Sequence, residues 1–148
     1  MKTNLLVNIK KVHEDAVVPE YATPGSACFD LVSIHDGKVE YGDPGLFSTG
    51  LVFEVPVGHV MNIYSRSGHG FKEEIRLANC VGKIDSDYRG EVMVKLTSDG
   101  LHRGAFHVKA GDRIAQAEIV PIQQVEFEVV ESISETERGE GGFGSTGA

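Results

Sequence analysis

Residues 79–91, NCVGKIDSDYRGE, set Asp85 and Asp87 on either side of Ser86 and follow them with Tyr88 and Arg89. A carboxylate held as a general base, next to a ring that can cover a sugar, is one chemistry this spacing serves. An Asp-rich hairpin turn with a solvated tip uses the same residue types. YSRSGHG (64–70) breaks a strand-like run with Arg66, Ser67 and Gly68. A guanidinium, a hydroxyl and free backbone N–H groups in one turn suit phosphate oxygens; an ordinary polar turn has the same composition. GDRIAQ (111–116) reads as a turn entering a strand, with an Asp112–Arg113 local ion pair. Gln116 stands three residues beyond Arg113, so strand alternation sends the two to opposite faces. The amide is then free to meet a ligand while the arginine braces structure. PGSACFDL (24–31) places Asp30 after a small-residue turn.

The segment RGEGGFGSTGA (138–148) carries five glycines around Arg138 and Phe143. On composition it is an end with nothing to pack against. Gly139 to Thr146 spells G-x-x-x-x-G-S-T, but Ser145 stands where a phosphate loop needs lysine, and no helix follows. A strap is the alternative: a guanidinium for phosphate, a ring for a flat base, and glycines for close backbone approach.

These residues need a scaffold, and period-two alternation supplies it. Leu5, Val7 and Ile9 share a face in NLLVNIK, as do Leu51, Phe53, Val55 and Val57 in LVFEVPV and Val92, Val94 and Leu96 in EVMVKLT. In QVEFEVV, Val125, Phe127 and Val129 oppose Gln124, Glu126 and Glu128. The runs are short and are punctuated by Gly, Pro, Asp and Ser. FKEEIRLAN (71–79) is the nearest approach to a helix. The pattern predicts an all-β sandwich or barrel without internal repeats, residues 1–137 forming one domain and 138–148 a flexible C-terminal lid.

A length of 148 residues suits one domain with its own core. The formal charge of −8 argues against direct nucleic-acid binding, which favours a basic stripe. It leaves room for a small anion held by a few arginines and a divalent cation. No apolar run reaches membrane-spanning length, and MKTNLLVNIKKVHED lacks the apolar core of a secretory signal. Cys28 and Cys80 suggest neither a disulfide framework nor a zinc knuckle, so a reducing cytoplasm is expected. The six histidines show no metal-ligand spacing.

In order and spacing, PGSACFDL, SRSG, NCVGKIDSDYRGE, GDRIAQ and RGEGGFGSTG together resemble the five-motif set of the trimeric deoxyuridine triphosphatases, or dUTPases, from about Pro24 onward. The resemblance implies a jelly-roll-like β subunit, a homotrimer with sites between subunits, and Mg²⁺-dependent hydrolysis of dUTP to dUMP and pyrophosphate. That reaction supplies dUMP for thymidylate synthesis and keeps uracil out of DNA. By the same resemblance, Asp85 activates the water that attacks the α-phosphorus. Asn79 and the backbone of Gly82, Lys83 and Ile84 read uracil in a hairpin too tight for a thymine methyl, with Met93 at its edge. Tyr88 stacks on the deoxyribose and excludes a 2′-hydroxyl. Arg66, Ser67 and Gly68 hold phosphate oxygens, Gln116 sits by the α-phosphate or a metal-bound water, and Asp30 meets Mg²⁺ through water. Arg138 binds the γ-phosphate and Phe143 stacks on uracil, while Gly144 and Ser145 donate to phosphates. The chain departs from the family pattern at Cys28, Ser65, His69–Gly70 and Lys83. A dCTP deaminase-like or bifunctional enzyme of the same fold, and a nucleotide-gated protein-binding regulator, are the alternatives.

Overall fold

The computed structural model of the chain describes residues 5–144. Within them lie eleven strands and one helix, in agreement with the all-β expectation. The strands are β1 (Asn8–Lys11), β2 (Phe29–Val32), β3 (Gly37–Val39), β4 (Gly45–Ser48), β5 (Leu51–Glu54), β6 (His59–Tyr64), β7 (Ile75–Leu77), β8 (Gly82–Ile84), β9 (Met93–Ser98), β10 (Phe106–Val108) and β11 (Arg113–Pro121). Helix α1 (Ser67–Glu73) falls between β6 and β7. Four antiparallel sheets result: β2-β11-β6-β8, β4-β9-β7, β1-β5 and β10-β3.

Alternation explains the core. Leu51 and Phe53 of β5 are buried with Val55 beyond it, and Val92 is buried with Val94 and Leu96 of β9. They pack with Leu31, Phe47, Met61, Ile63, Ile75 and Ile114 in one apolar cluster. Burying side chains of this size contributes roughly 1.5–3 kcal/mol each before chain entropy is charged against it. Val57 lies past the end of β5 in the turn before β6 and is exposed.

In its secondary structure the chain departs from the sequence reading in three places. Helix α1 starts at Ser67, not Phe71, and is only seven residues long with no buried side chain. Two glycines weaken it, Glu74 turns left-handed at φ 55 to close it, and β-branched Ile75 begins a strand instead. The 79–91 segment is not a paired hairpin. β8 bonds β6 while β7 and β9 belong to another sheet, so the chain crosses between sheets at 78–81 and again at 85–92. Finally, 124–130 forms no strand: Val125, Phe127 and Val129 are exposed and pair with nothing among the described residues.

Candidate functional site

One cluster gathers where β2, β11 and the β6–α1 junction meet. Asp30 of β2 lies in register with Gln116 of β11, which lies in register with Tyr64 of β6. Arg66 donates through Nε to Asp30 Oδ1 at 3.1 Å and through Nη1 to the Arg113 carbonyl at 3.4 Å. Arg113 Nη1 reaches Asp30 Oδ2 at 3.5 Å. One carboxylate thus holds two guanidiniums side by side, and the trio keeps a net positive charge. Gln116 Nε2 donates to the Ser65 carbonyl at 2.9 Å, and its Oε1 has no hydrogen bond among the described residues. Together with Ser67 and Gly68, these residues line a cleft of about 330 Å³. Ser67 and Gly68 open α1, where backbone N–H groups have no intrahelical acceptor. Cys28 lines the same cleft, and its thiol is pushed up by burial and then by the Glu118 and Asp30 carboxylates.

Simple alternation misplaced Arg113 against Gln116. A register shift between Arg113 and Ala115 adds a residue to β11, so Ile114 and Ala115 both face the core. Arg113 and Gln116 therefore emerge on the same side and share the cleft. Nor does Asp112 pair with Arg113: its Oδ2 accepts from the Lys109 N–H at 2.8 Å and closes the turn. The Gln116 amide nitrogen, expected to be free, is already engaged.

A second cleft, about 440 Å³, is lined by Asn79, Gly82, Lys83, Ile84 and Met93, with Ile63 and Leu77 behind them. β8 approaches β6 closely here, since a Cβ on Gly82 would stand 3.2 Å from the Ile63 Cβ. Beyond β8, the Tyr88 N–H closes a turn on the Asp85 carbonyl at 3.2 Å, and Tyr88 Oη donates to the Glu91 carbonyl at 3.1 Å. Arg89 ties the turn through the Ser86 carbonyl at 2.8 Å. Asp85 is exposed, and its carboxylate has no hydrogen bond or ion pair among the described residues.

Arg138 donates through Nε to the Gly141 carbonyl at 2.7 Å in a local turn, and Phe143 is fully exposed at φ 52, followed by Gly144 at φ 85. Neither Arg138 nor Phe143 lines either cleft. Ser145 lies outside the described residues.

Sequence reasoning missed a polar row on the outer face of the four-stranded sheet. Lys83 of β8, Asn62 of β6 and Glu118 of β11 are register partners. Lys83 Nζ donates to Asn62 Oδ1 at 2.9 Å and Tyr64 Oη to Glu118 Oε1 at 2.8 Å. The Glu118 hydrogen bond is the main reason the Tyr64 phenol is pushed up. An asparagine inside the otherwise apolar VMNI was the available signal. Also missed was His69, whose Nδ1 is buried without a partner beside Arg66 and edge-on to Phe106 at 5.1 Å. Burial, then the Arg66 charge, holds its pKa down.

Comparison with known proteins supplies the family. A dUTPase family model matches residues 14–147. The deoxyuridine 5'-triphosphate nucleotidohydrolase of Nautilia profundicola is 48% identical over 141 residues, covering 95% of this chain and 98% of that protein. The same-named protein of Helicobacter hepaticus is 41% identical over 147 residues, covering 99% and 92%. Among solved structures, a Staphylococcus bacteriophage 80alpha dUTPase with dUpNHpp superposes with a TM-score of 0.89 at 27% identity, covering 98% of this chain and all of that one. A variant dUTPase of phage phi11, described with a structural Mg(II) ion, shares the fold with a TM-score of 0.81 at 22% identity, covering 88% of this chain and all of that one. These neighbours carry the expected jelly-roll-like β fold. A family model spanning nearly the whole chain, and relatives above 40% identity over nearly full length, establish that this chain belongs to the dUTPase family.

Proposed function

We propose that the protein hydrolyses dUTP to dUMP and pyrophosphate in sites completed between the subunits of a homotrimer. The observation that carries this reading is the division of labour within one chain. The arginine-rich cluster and the β8 strand line separate clefts, and none of the described residues 138–144 lines either. A neighbour is needed to bring Asp85 to the phosphates and to receive the exposed apolar residues of 125–129.

In the assembled site, Arg66, the Ser67 hydroxyl and the N–H groups of Ser67 and Gly68 hold phosphate oxygens. Arg66 Nη2 has no protein partner among the described residues, and Asp30 fixes the plane of the guanidinium. Asp85, contributed from another chain, orients a water and accepts its proton as the oxygen attacks the α-phosphorus. The bond from that phosphorus to the bridging oxygen breaks, and pyrophosphate carries the bridging oxygen and the electron pair away. No covalent intermediate is needed, because positioning and charge neutralisation lower the barrier. Gln116 lines the same cleft, and its side-chain amide oxygen accepts from the water around the α-phosphate. Asn79 and the β8 backbone read the base, Met93 borders it, and Tyr88 covers the sugar. Arg138, Phe143, Gly144 and Ser145 close over the nucleotide.

The residues present fit Mg²⁺ held chiefly by the triphosphate. No three His, Cys, Asp or Glu side chains cluster as a ligand set among the described residues, and both Asp30 oxygens face arginines. That geometry leaves Asp30 an outer contact through water. When bound, the ion supplies charge neutralisation on the phosphates. No helix among the described residues is long and apolar enough to cross a membrane.

The test is pyrophosphate release from dUTP with Mg²⁺, set beside UTP, dTTP and dCTP, on protein whose mass in solution is measured by light scattering. Faster dUTP turnover by a trimer is expected. A folded trimer without dUTP turnover refutes the reading.

A further inference from the structure

We infer that Lys83 is a positioning residue for base selection: its ammonium, tied to Asn62, holds strand β8 against β6 so that the base-reading edge cannot yield to a 5-methyl group. This rests on the proposed dUTP reading and adds the device that makes the pocket stiff.

β8 is the weak member of its sheet. It is three residues long, lies at the sheet edge, and bonds β6 alone. Gly82 offers no side chain to pack, and Ile84 is only partly buried. Short edge strands exchange and bend more readily than central ones. Steric exclusion of one methyl works only if the wall cannot move, since the added group is small and a soft wall accommodates it at little cost.

The polar row supplies the missing stiffness. Lys83 lies directly across from Asn62, with Nζ to Oδ1 at 2.9 Å, a cross-strand pair with a charged donor. Asn62 is only 7% exposed, so the acceptor itself is fixed. Glu118 is its register partner on the far side and is anchored to Tyr64 at 2.8 Å. Lys83 thus fastens the edge strand to a rigid point on the central strands. Its side chain leaves β8 on the face of Asn62, opposite the core face of Met61 and Ile63. Its role is therefore to hold the backbone, with the ammonium committed to Asn62.

The experiment compares the full-length protein with Lys83→Met, which keeps length and apolar stem but removes the donor, and with Lys83→Arg, which keeps a donor. A charge-assisted bond at a partly exposed site sets a scale of about five-fold. Lys83→Met is expected to raise KM for dUTP and to lower the dUTP-over-dTTP ratio of kcat/KM by about that factor, with kcat changed less. Lys83→Arg should recover most of the ratio. Hydrogen exchange of the 82–84 amides, read without nucleotide, should quicken in Lys83→Met. Unchanged exchange at 82–84 overturns the inference whether or not the protein hydrolyses dUTP. Faster exchange with an unchanged dUTP-over-dTTP ratio overturns the link to selectivity. Absence of dUTP turnover in the parent protein would instead refute the proposed function, and the exchange data would still decide the tie.

Discussion

Gly90→Ala separates packing from catalysis at Tyr88, the ring proposed to cover the sugar. A Cβ built on Gly90 would overlap Tyr88 Oη, lie 2.5 Å from Cζ and 3.0 Å from Cε2. Carbon atoms in comfortable contact stand ~3.5–4.0 Å apart, so the ring must move by on the order of 1 Å. It can do so, because Tyr88 is 43% exposed and is held mainly by one hydrogen bond to the Glu91 carbonyl. Losing that bond costs about 0.5–1.5 kcal/mol. The alanine also restricts the unfolded chain, which contributes about 0.4–1 kcal/mol of stability in return. The two nearly cancel, so the variant should unfold within ~1 kcal/mol of the parent, on the arithmetic of those two terms. Activity should respond far more: a ring displaced by about 1 Å no longer sits where a 2′-hydroxyl would clash, and such misplacements cost up to ~100-fold. Chemical denaturation and parallel dUTP and UTP kinetics on Gly90→Ala measure both sides. Expected is a fall in kcat/KM for dUTP of about ten-fold or more and a smaller preference over UTP. Stability lower by more than ~2 kcal/mol would show that the backbone rather than the ring absorbs the clash. Unaltered sugar discrimination in a well-folded variant would show that Tyr88 does not police the sugar.

Three further outcomes are expected. Asp85→Asn should lose kcat by orders of magnitude while nucleotide affinity, measured by calorimetry with a non-hydrolysed analogue, stays near the parent value; retained kcat would remove Asp85 as the base. Deleting 138–148 should leave the assembly intact by light scattering and abolish most turnover; full activity would return this segment to an uninvolved end. His69→Leu should stabilise the fold by ~1 kcal/mol at acid pH by removing a buried atom without a partner. The sign follows from the depressed pKa: below the ordinary imidazole value of about 6.5 the unfolded chain binds a proton that the folded chain resists, so His69 costs stability as pH falls through that window. Melting curves from pH 5 to 8 should therefore run flatter in the variant, and a parallel slope would show that another group sets it.

The strands of the core were legible because a half-buried strand must alternate, and β5 and β9 do. What alternation could not show was any place where the backbone miscounts. The extra residue between Arg113 and Ala115 leaves Arg-Ile-Ala-Gln looking regular in sequence, yet it reverses the facing of everything before it. Helix α1 was similarly hidden: SGHGFKE has two glycines and no apolar stripe, and its position is imposed by the strands it joins. The Lys83–Asn62 tie was invisible for a different reason. The partners are 21 residues apart and meet only through the β6–β8 register.

The segment QVEFEVV marks where reading one chain reaches its physical boundary. Its alternation is as clean as that of β5, and hydrophobic periodicity says that a strand face is to be buried without saying against which chain. Within one subunit Phe127 and Val129 lie almost fully in water. Two fully exposed side chains of this size forgo roughly 1.5–3 kcal/mol each that burial would return, a loss that a partner surface recovers and a solitary chain does not. On the proposed reading, the separate clefts call for a second subunit for the chemistry, and this face calls for one for its hydrophobic burial. These are independent requirements, one from charge and geometry and one from apolar area. Replacing Phe127 and Val129 by serine tests whether they converge: assembly should weaken, and dUTP turnover should become dependent on protein concentration. Turnover independent of concentration, in a species shown to be monomeric, would break the argument that one subunit holds only parts of a site.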